Sequence, residues 1–303
     1  MFQTVGFGVL VALAYVPYHV RVRVLAADRR AVPGWRQACF IAGLVTLVIA
    51  VSPPADTLSD QLLVAHMAEH LLIGDIAALL LVLGLTGPMI APVLRHPLVG
   101  RLRVFTHPVV ALVVWAVNFY AWHSPYLYQE ALRHPLLHAL EHATFLAFGM
   151  AVWMALLGPL PKPSWFGNWA RLAYIVAMRL VGTVLANVLI FAGTVFYPYY
   201  LPGDALWHIS PMGDQVAAGG LMMVEESLLT IGLFCWLFLR VANENEKRQV
   251  LLDYADQHGL ELDERRAGRA VAAGRGDELL ERLRERAGAG AGAGAGATSP
   301  PTI

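Results

Sequence analysis

Charge is scarce in this chain: only 15% of its 303 residues are Asp, Glu, Lys or Arg, against 57% that are hydrophobic. A water-soluble globular domain carries more charge and less apolar surface, so the excess points to a lipid solvent. Neither sign dominates, with 22 Lys plus Arg, 22 Asp plus Glu and a formal net charge of +0. That balance removes the electrostatic basis for a nucleic-acid partner or a strongly anionic substrate. Cysteine is nearly absent. Cys39 and Cys235 lie inside apolar stretches, too few and too far in for a disulfide framework or a thiolate metal site, and both read as packing residues. The N-terminus lacks the basic lead-in and small-residue cleavage site of a secretory signal. Its arginines follow the first apolar run, so that segment is expected to stay attached.

What is present is a series of apolar runs near the ~20 residues that cross about 30 Å of hydrocarbon as helix. They cover Phe2 to Val20, Gln37 to Ser52, Gln61 to Thr86, Pro108 to Trp122, Leu136 to Leu157 and Leu172 to Phe196, with a last run ending at Leu239. The predicted fold class is all-α, a polytopic transmembrane bundle of about seven spanning helices. Nearly every Lys or Arg ahead of the tail falls in alternate connections, with Arg133 the exception. Cationic residues collect in cytoplasmic loops, which sets the N-terminus outside and the C-terminus in the cytoplasm. Trp35, Trp122, Trp165, Trp169, Trp207 and Trp236 fall near segment ends, where indole favours the membrane interface. Residues 1–240 form the predicted membrane domain. Residues 241–286 form a charged cytoplasmic tail with short amphipathic patterns at Gln249 to Leu262 and Asp277 to Leu283, and the Ala/Gly-rich residues 287–303 are expected to be disordered.

Two spans carry the same motif, His66-Met67-Ala68-Glu69-His70 and His138-Ala139-Leu140-Glu141-His142. On a helix the i and i+4 positions share one face, so each motif aims two imidazoles in one direction. Both spans run inward from outside and carry the pair within their first turns, which sets the pairs at similar depth. His123 closes the fourth span at the same face and His208 lies in the outer loop before the last, giving an outer cluster of six histidines. Polar groups in lipid are costly and tend to mark sites, whereas a lone histidine there is satisfied by a hydrogen bond to a neighbouring helix. Imidazole suits zinc, copper, iron and nickel alike; Met67, Met212, Met222 and Met223 would tilt the set toward Cu(I), unless they simply fill apolar gaps. Glu69 and Glu141 point away from their own histidines and could orient imidazoles on a neighbouring helix. The letters also spell a zinc peptidase signature, which two copies inside apolar spans and no evident third carboxylate fit poorly.

A second polar set lies deeper: Asp75, Arg179, Glu225 and Glu226, each within about two turns of the bilayer centre at 1.5 Å per residue. An unpaired charge there is expensive, so Arg179 is predicted to pair with Asp75 or with one of the glutamates, as a structural clamp or as part of a proton path.

These residues resemble a known family. His66-x-x-x-His70, then Trp122-His123-x-Pro125-x-x-Tyr128 and His134-Pro135-x-x-His138-x-x-Glu141-His142, are similar to motifs of the CtaG-like assembly factors of caa-type cytochrome c oxidases, over roughly residues 40 to 240. The resemblance implies a multi-pass bacterial plasma-membrane protein that is not an enzyme and that partners cytochrome c oxidase subunits, plausibly as a metal-binding chaperone handing them copper. It implies ligands at His66, His70, His123, His138 and His142. A b-type cytochrome, with a haem held between two spans, and a metal-free structural partner of the oxidase stay open as alternatives, as does zinc in place of copper.

Overall fold

The computed structural model describes residues 2–96, 100, 102–272 and 274–295, and among these every regular element is helical. Of the terminus expected to be disordered, helix continues to Ala295, and residues 296–303 lie outside the described residues. The chain divides into two compact units, Met1–Ile231 and Gly232–Ile303.

In the first unit, α1 (Phe2–Ala27), α2 (Gly34–Ala50) and the short α3 (Ala55–Ser59) lead into α4 (Leu63–Gly84), followed by α5 (Gly87–Leu94). Then come α6 (Pro108–Trp122), α7 (Pro125–Arg133), α8 (Pro135–Leu156), α9 (Asn168–Phe191), α10 (Leu201–Leu206) and the first part of α11 (Pro211–Gln257). Four of these, α4, α8, α9 and α11, are long and apolar enough to cross a membrane; α2 and α6 are shorter apolar helices. Proline opens α6, α7, α8 and α11. Its fixed φ suits the first helical turn, and its missing N–H is one the helix would leave unpaired there anyway. Helix α7 falls in a connection whose Tyr, Gln and Glu content gave no apolar signal.

Helix α4 is the hub, packed between α2 and α8. Its middle, Leu72–Ala77, is a π-helical turn that begins just past His70 and contains Asp75. Opposite that turn a Cβ on Gly149 of α8 would collide with the Gly74 carbonyl oxygen, so a glycine lets the two backbones meet. Two apolar clusters flank this contact. One gathers Leu63, Met67, Phe119, Trp122, Tyr128, Phe145, Tyr197, Tyr200 and Met222 at the end where α4 and α8 begin, and the other joins Tyr18, Phe40, Leu44, Leu81 and Met89 toward the opposite end. Outward-facing positions are apolar at helical spacing, as in Val109, Val113 and Val117 on α6 and Leu180, Val184 and Val188 on α9. Cys235 belongs to such a face: it is exposed and Cys39 half-buried, so apolar surroundings in the sequence did not mean packing against protein. Trp122 departs the other way. It is buried, donating to Thr144 Oγ1 at 2.8 Å, and is no interface anchor.

In the second unit, the end of α11, α12 (Glu264–Ala272) and α13 (Gly276–Ala295) enclose a small apolar cluster of Leu251, Ala267, Val271 and Leu283. Salt bridges Lys247–Asp277 at 3.1 Å and Arg248–Glu264 at 3.4 Å rim it.

Candidate metal centre

The histidine end is built by helix starts. Leu62 is extended, and α4 begins one residue later with no cap of its own. Its first free N–H groups, on Leu63 and Val64, donate instead to the Asp214 carboxylate at 2.6 and 2.9 Å, from the first turn of α11. Pro135 starts α8 three residues before His138. Each helix thus presents its first histidine within a turn of its start and its second one turn further in.

The four imidazoles converge. Candidate ligand atoms of His66, His70, His138 and His142 all lie within 4.8 Å of one another, His66 and His70 buried and His138 and His142 half-buried. Ring centroids are 5.2 Å apart for His66 and His138 and 5.5 Å for His70 and His142, so equivalent positions of the two motifs face each other. The Nε2 atoms of His66 and His70 approach to 2.8 Å. Nδ1 of His66 and of His70, and Nε2 of His138 and of His142, are buried with no hydrogen-bond partner among the described residues. Buried imidazole nitrogens are normally satisfied, and four converging rings that each keep an unpartnered nitrogen are a set that could hold a metal ion.

The glutamates cross over. Glu141 Oε1 lies 3.6 Å from His70 Nε2, and Glu69 Oε1 lies 3.7 Å from His142 Nε2, each carboxylate addressing an imidazole on the other helix. These separations exceed hydrogen-bond length, so the two carboxyl groups lie beside the imidazoles without occupying the nitrogens. Asp56 on α3 and Asp60 just after it act electrostatically on half-buried His138. A cation approaching there meets negative charge first. Burial and the Asp56 charge raise the Asp60 carboxyl above its ordinary range.

His123 ends α6 beside this group without joining it, its ring 6.3 Å from that of His70. Its Nδ1–H donates to the Phe119 carbonyl at 2.7 Å, and its own carbonyl accepts from Tyr197 Oη at 2.8 Å. Tyr128, on α7, lies 5.2 Å from the His66 ring, and its hydroxyl meets that of Tyr200 at 3.0 Å. Burial drives both phenols well above their ordinary pKa, so both remain protonated. Tyr197 and Tyr200 come from a connection with no helical period to place them.

His208 does not join the cluster. It is exposed in the turn after α10, with φ 56°. The six-histidine expectation therefore narrows to four, with His123 adjacent. In the deeper set Arg179 pairs with Glu226 at 2.6 Å and donates to Ser227 Oγ at 3.0 Å. A Cβ on Gly182 would overlap that Glu226 carboxylate. Asp75 and Glu225 complete the charge cluster, and both Glu225 oxygens are buried without a partner among the described residues.

The family model "Cytochrome c oxidase caa3 assembly factor (Caa3_CtaG)" matches residues 13–244. The chain belongs to this family. The match to the caa3 assembly factors takes in both histidine motifs, His123 and the whole charge cluster, and ends before α12. Among curated proteins the chain is 24% identical over 277 residues to an uncharacterized protein of Mycobacterium bovis, covering 82% of this chain and 41% of that protein. An uncharacterized protein of Mycobacterium leprae is 23% identical over 270 residues, covering 81% and 40%. The chain thus spans about two fifths of the length of these relatives. No solved structure matches it.

Proposed function

We propose that this chain is a multi-pass plasma-membrane assembly factor that holds copper at the four-histidine centre and passes it to a cytochrome c oxidase. The observation that carries this reading is the convergence of His66, His70, His138 and His142 with unpartnered nitrogens. Neutral imidazoles with two adjacent carboxylates suit a soft or borderline cation, and the family's client enzyme is a copper oxidase. Zinc would accept the same nitrogens; Met67, buried on the same turn of α4, favours copper. A haem is poorly accommodated, because α4 and α8 close to backbone contact at Gly74 and Gly149 just past the histidines.

The proposed topology uses α1, α2, α4, α6, α8, α9 and α11 as seven spans, with the N-terminus outside and residues 241–303 in the cytoplasm. Apolar outward faces on α6 and α9 support it, as does the concentration of Lys and Arg, Arg133 apart, in alternate connections. The four histidines then open to the extracytoplasmic side, where His138 is the half-buried entry and the oxidase subunits are the recipients. The role is that of a chaperone, with ligand exchange in place of catalysis.

Metal analysis of purified full-length protein after copper loading tests this. Wild type should retain copper, and His70→Ala and His142→Ala should each lower affinity by at least about tenfold. Wild-type protein that takes up no copper overturns the reading.

A further inference from the structure

Beneath the four histidines lies a small cavity between α4, α6, α8 and α11. Its walls include Met67, His70, Asp75, His123 and Met222, and its volume of ≈ 20 Å³ is about that of one water-sized sphere. Of its lining residues only His70 belongs to the four-histidine group.

The donors around it are free. His123 Nδ1 spends its proton on the Phe119 carbonyl, which fixes the tautomer and leaves the Nε2 lone pair available. That Nε2 and His70 Nδ1 are both without a partner among the described residues, on side chains only 5% exposed. Met67 and Met222, each 1% exposed, bring thioethers to the same walls. Asp75 sits in the π-turn one turn below His70, and it interacts with Glu225 and Glu226. Arg179 acts on Glu225 and Glu226 and pairs with Glu226.

We infer that this cavity is a second, deeper copper station, in which His70 Nδ1, His123 Nε2 and the sulfurs of Met67 and Met222 hold a single Cu(I) above the Asp75 carboxylate. The inference rests on reading the four-histidine centre as a copper site. Soft sulfur and imidazole donors select Cu(I) over hard cations, and a one-water cavity cannot admit the hydration shell that magnesium retains. With both stations filled, His70 binds the deeper ion through Nδ1 and keeps its proton on Nε2, 2.8 Å from His66 Nε2, while His66, His138 and His142 hold the upper ion. With one ion present, the His70 proton passes to Nδ1 when Nε2 is the ligand and to Nε2 when Nδ1 is, so the ion can move inward from half-buried His138 by stepwise ligand exchange with no change of oxidation state. Along this path the ion passes from half-buried His138 and His142 to fully buried ligands.

Cu(I) titration of the detergent-solubilised full chain against a chromophoric chelator, with copper X-ray absorption on the loaded samples, tests the inference. Wild type should bind two equivalents and show thioether scattering. The His138→Ala/His142→Ala variant should keep one equivalent with the sulfur signal, and Met67→Leu/Met222→Leu, nearly isosteric and so expected to fold, should lose one equivalent and the sulfur signal. A wild-type stoichiometry of one without sulfur, or a Met67→Leu/Met222→Leu variant that binds as wild type does, overturns the deeper station and leaves the upper site standing. Wild type that binds no copper overturns both.

Discussion

At the residue scale the centre depends on which nitrogen of each imidazole is free and which carboxylate lies beside it. Glu69 and Glu141 each serve the helix they do not belong to, so neutralising one should weaken copper without removing a ligand. Glu141→Gln is expected to lower copper affinity about tenfold at unchanged stoichiometry, read by chelator competition; unaltered affinity would show that the carboxylate is a bystander. The histidine pairs were legible in the sequence because i and i+4 spacing is set within one helix. The crossed glutamates were legible only as an orientation, since their partners depend on how α4 and α8 meet. His208 and Cys235 were misplaced for a related reason. Hydropathy places a residue near a level but not on a face, and a positive φ at His208 leaves no composition signal.

At the element scale, the start of α4 hangs on α11. Asp214 accepts from the Leu63 and Val64 N–H groups while itself buried. Asp214→Ala should therefore destabilise the histidine end by about 2 kcal/mol, as a lost cap combined with newly orphaned donors. Thermal unfolding in detergent reads this directly, and copper retention should fall with it. Asp204, on α10 outside the spans, is pushed up to about 6 by burial and by the charge of Asp214. A raised carboxyl pKa means that the fold prefers the neutral acid, so its contribution is intact at low pH and is lost as pH rises through about 6. Between pH 5 and 7 the melting temperature of wild type should therefore fall relative to Asp204→Asn; parallel profiles would contradict this. The start of α6 was readable at Pro108 and that of α8 to within one residue, at Leu136 against Pro135, whereas the start of α11 at Pro211 was not placed. The π-turn at Leu72–Ala77 was not readable, since no local sequence signal marks it; it lies where α4 meets Gly149 of α8.

At the scale of the whole molecule, the apolar runs announced an all-helical chain, and nothing in them revealed α7 or the compact second unit, whose polar helices bury only a narrow leucine and valine stripe. The two-motif architecture makes one end of the bundle chemically active and leaves the rest as scaffold. Gly149→Val, which places a branched side chain against the Gly74 carbonyl, should push α4 from α8 and cost copper binding although it touches no ligand; equal copper retention by that variant would mean the two helices need not meet.

Delivery is the central claim, and the copper content of the client oxidase tests it most directly. Cells lacking the native protein would carry either the wild-type chain or the His66→Ala/His70→Ala/His138→Ala/His142→Ala variant at equal membrane abundance, and purified oxidase would be assayed for its copper-to-haem ratio. A ratio several-fold lower with the variant is the expected result. A normal ratio would contradict copper delivery through these histidines.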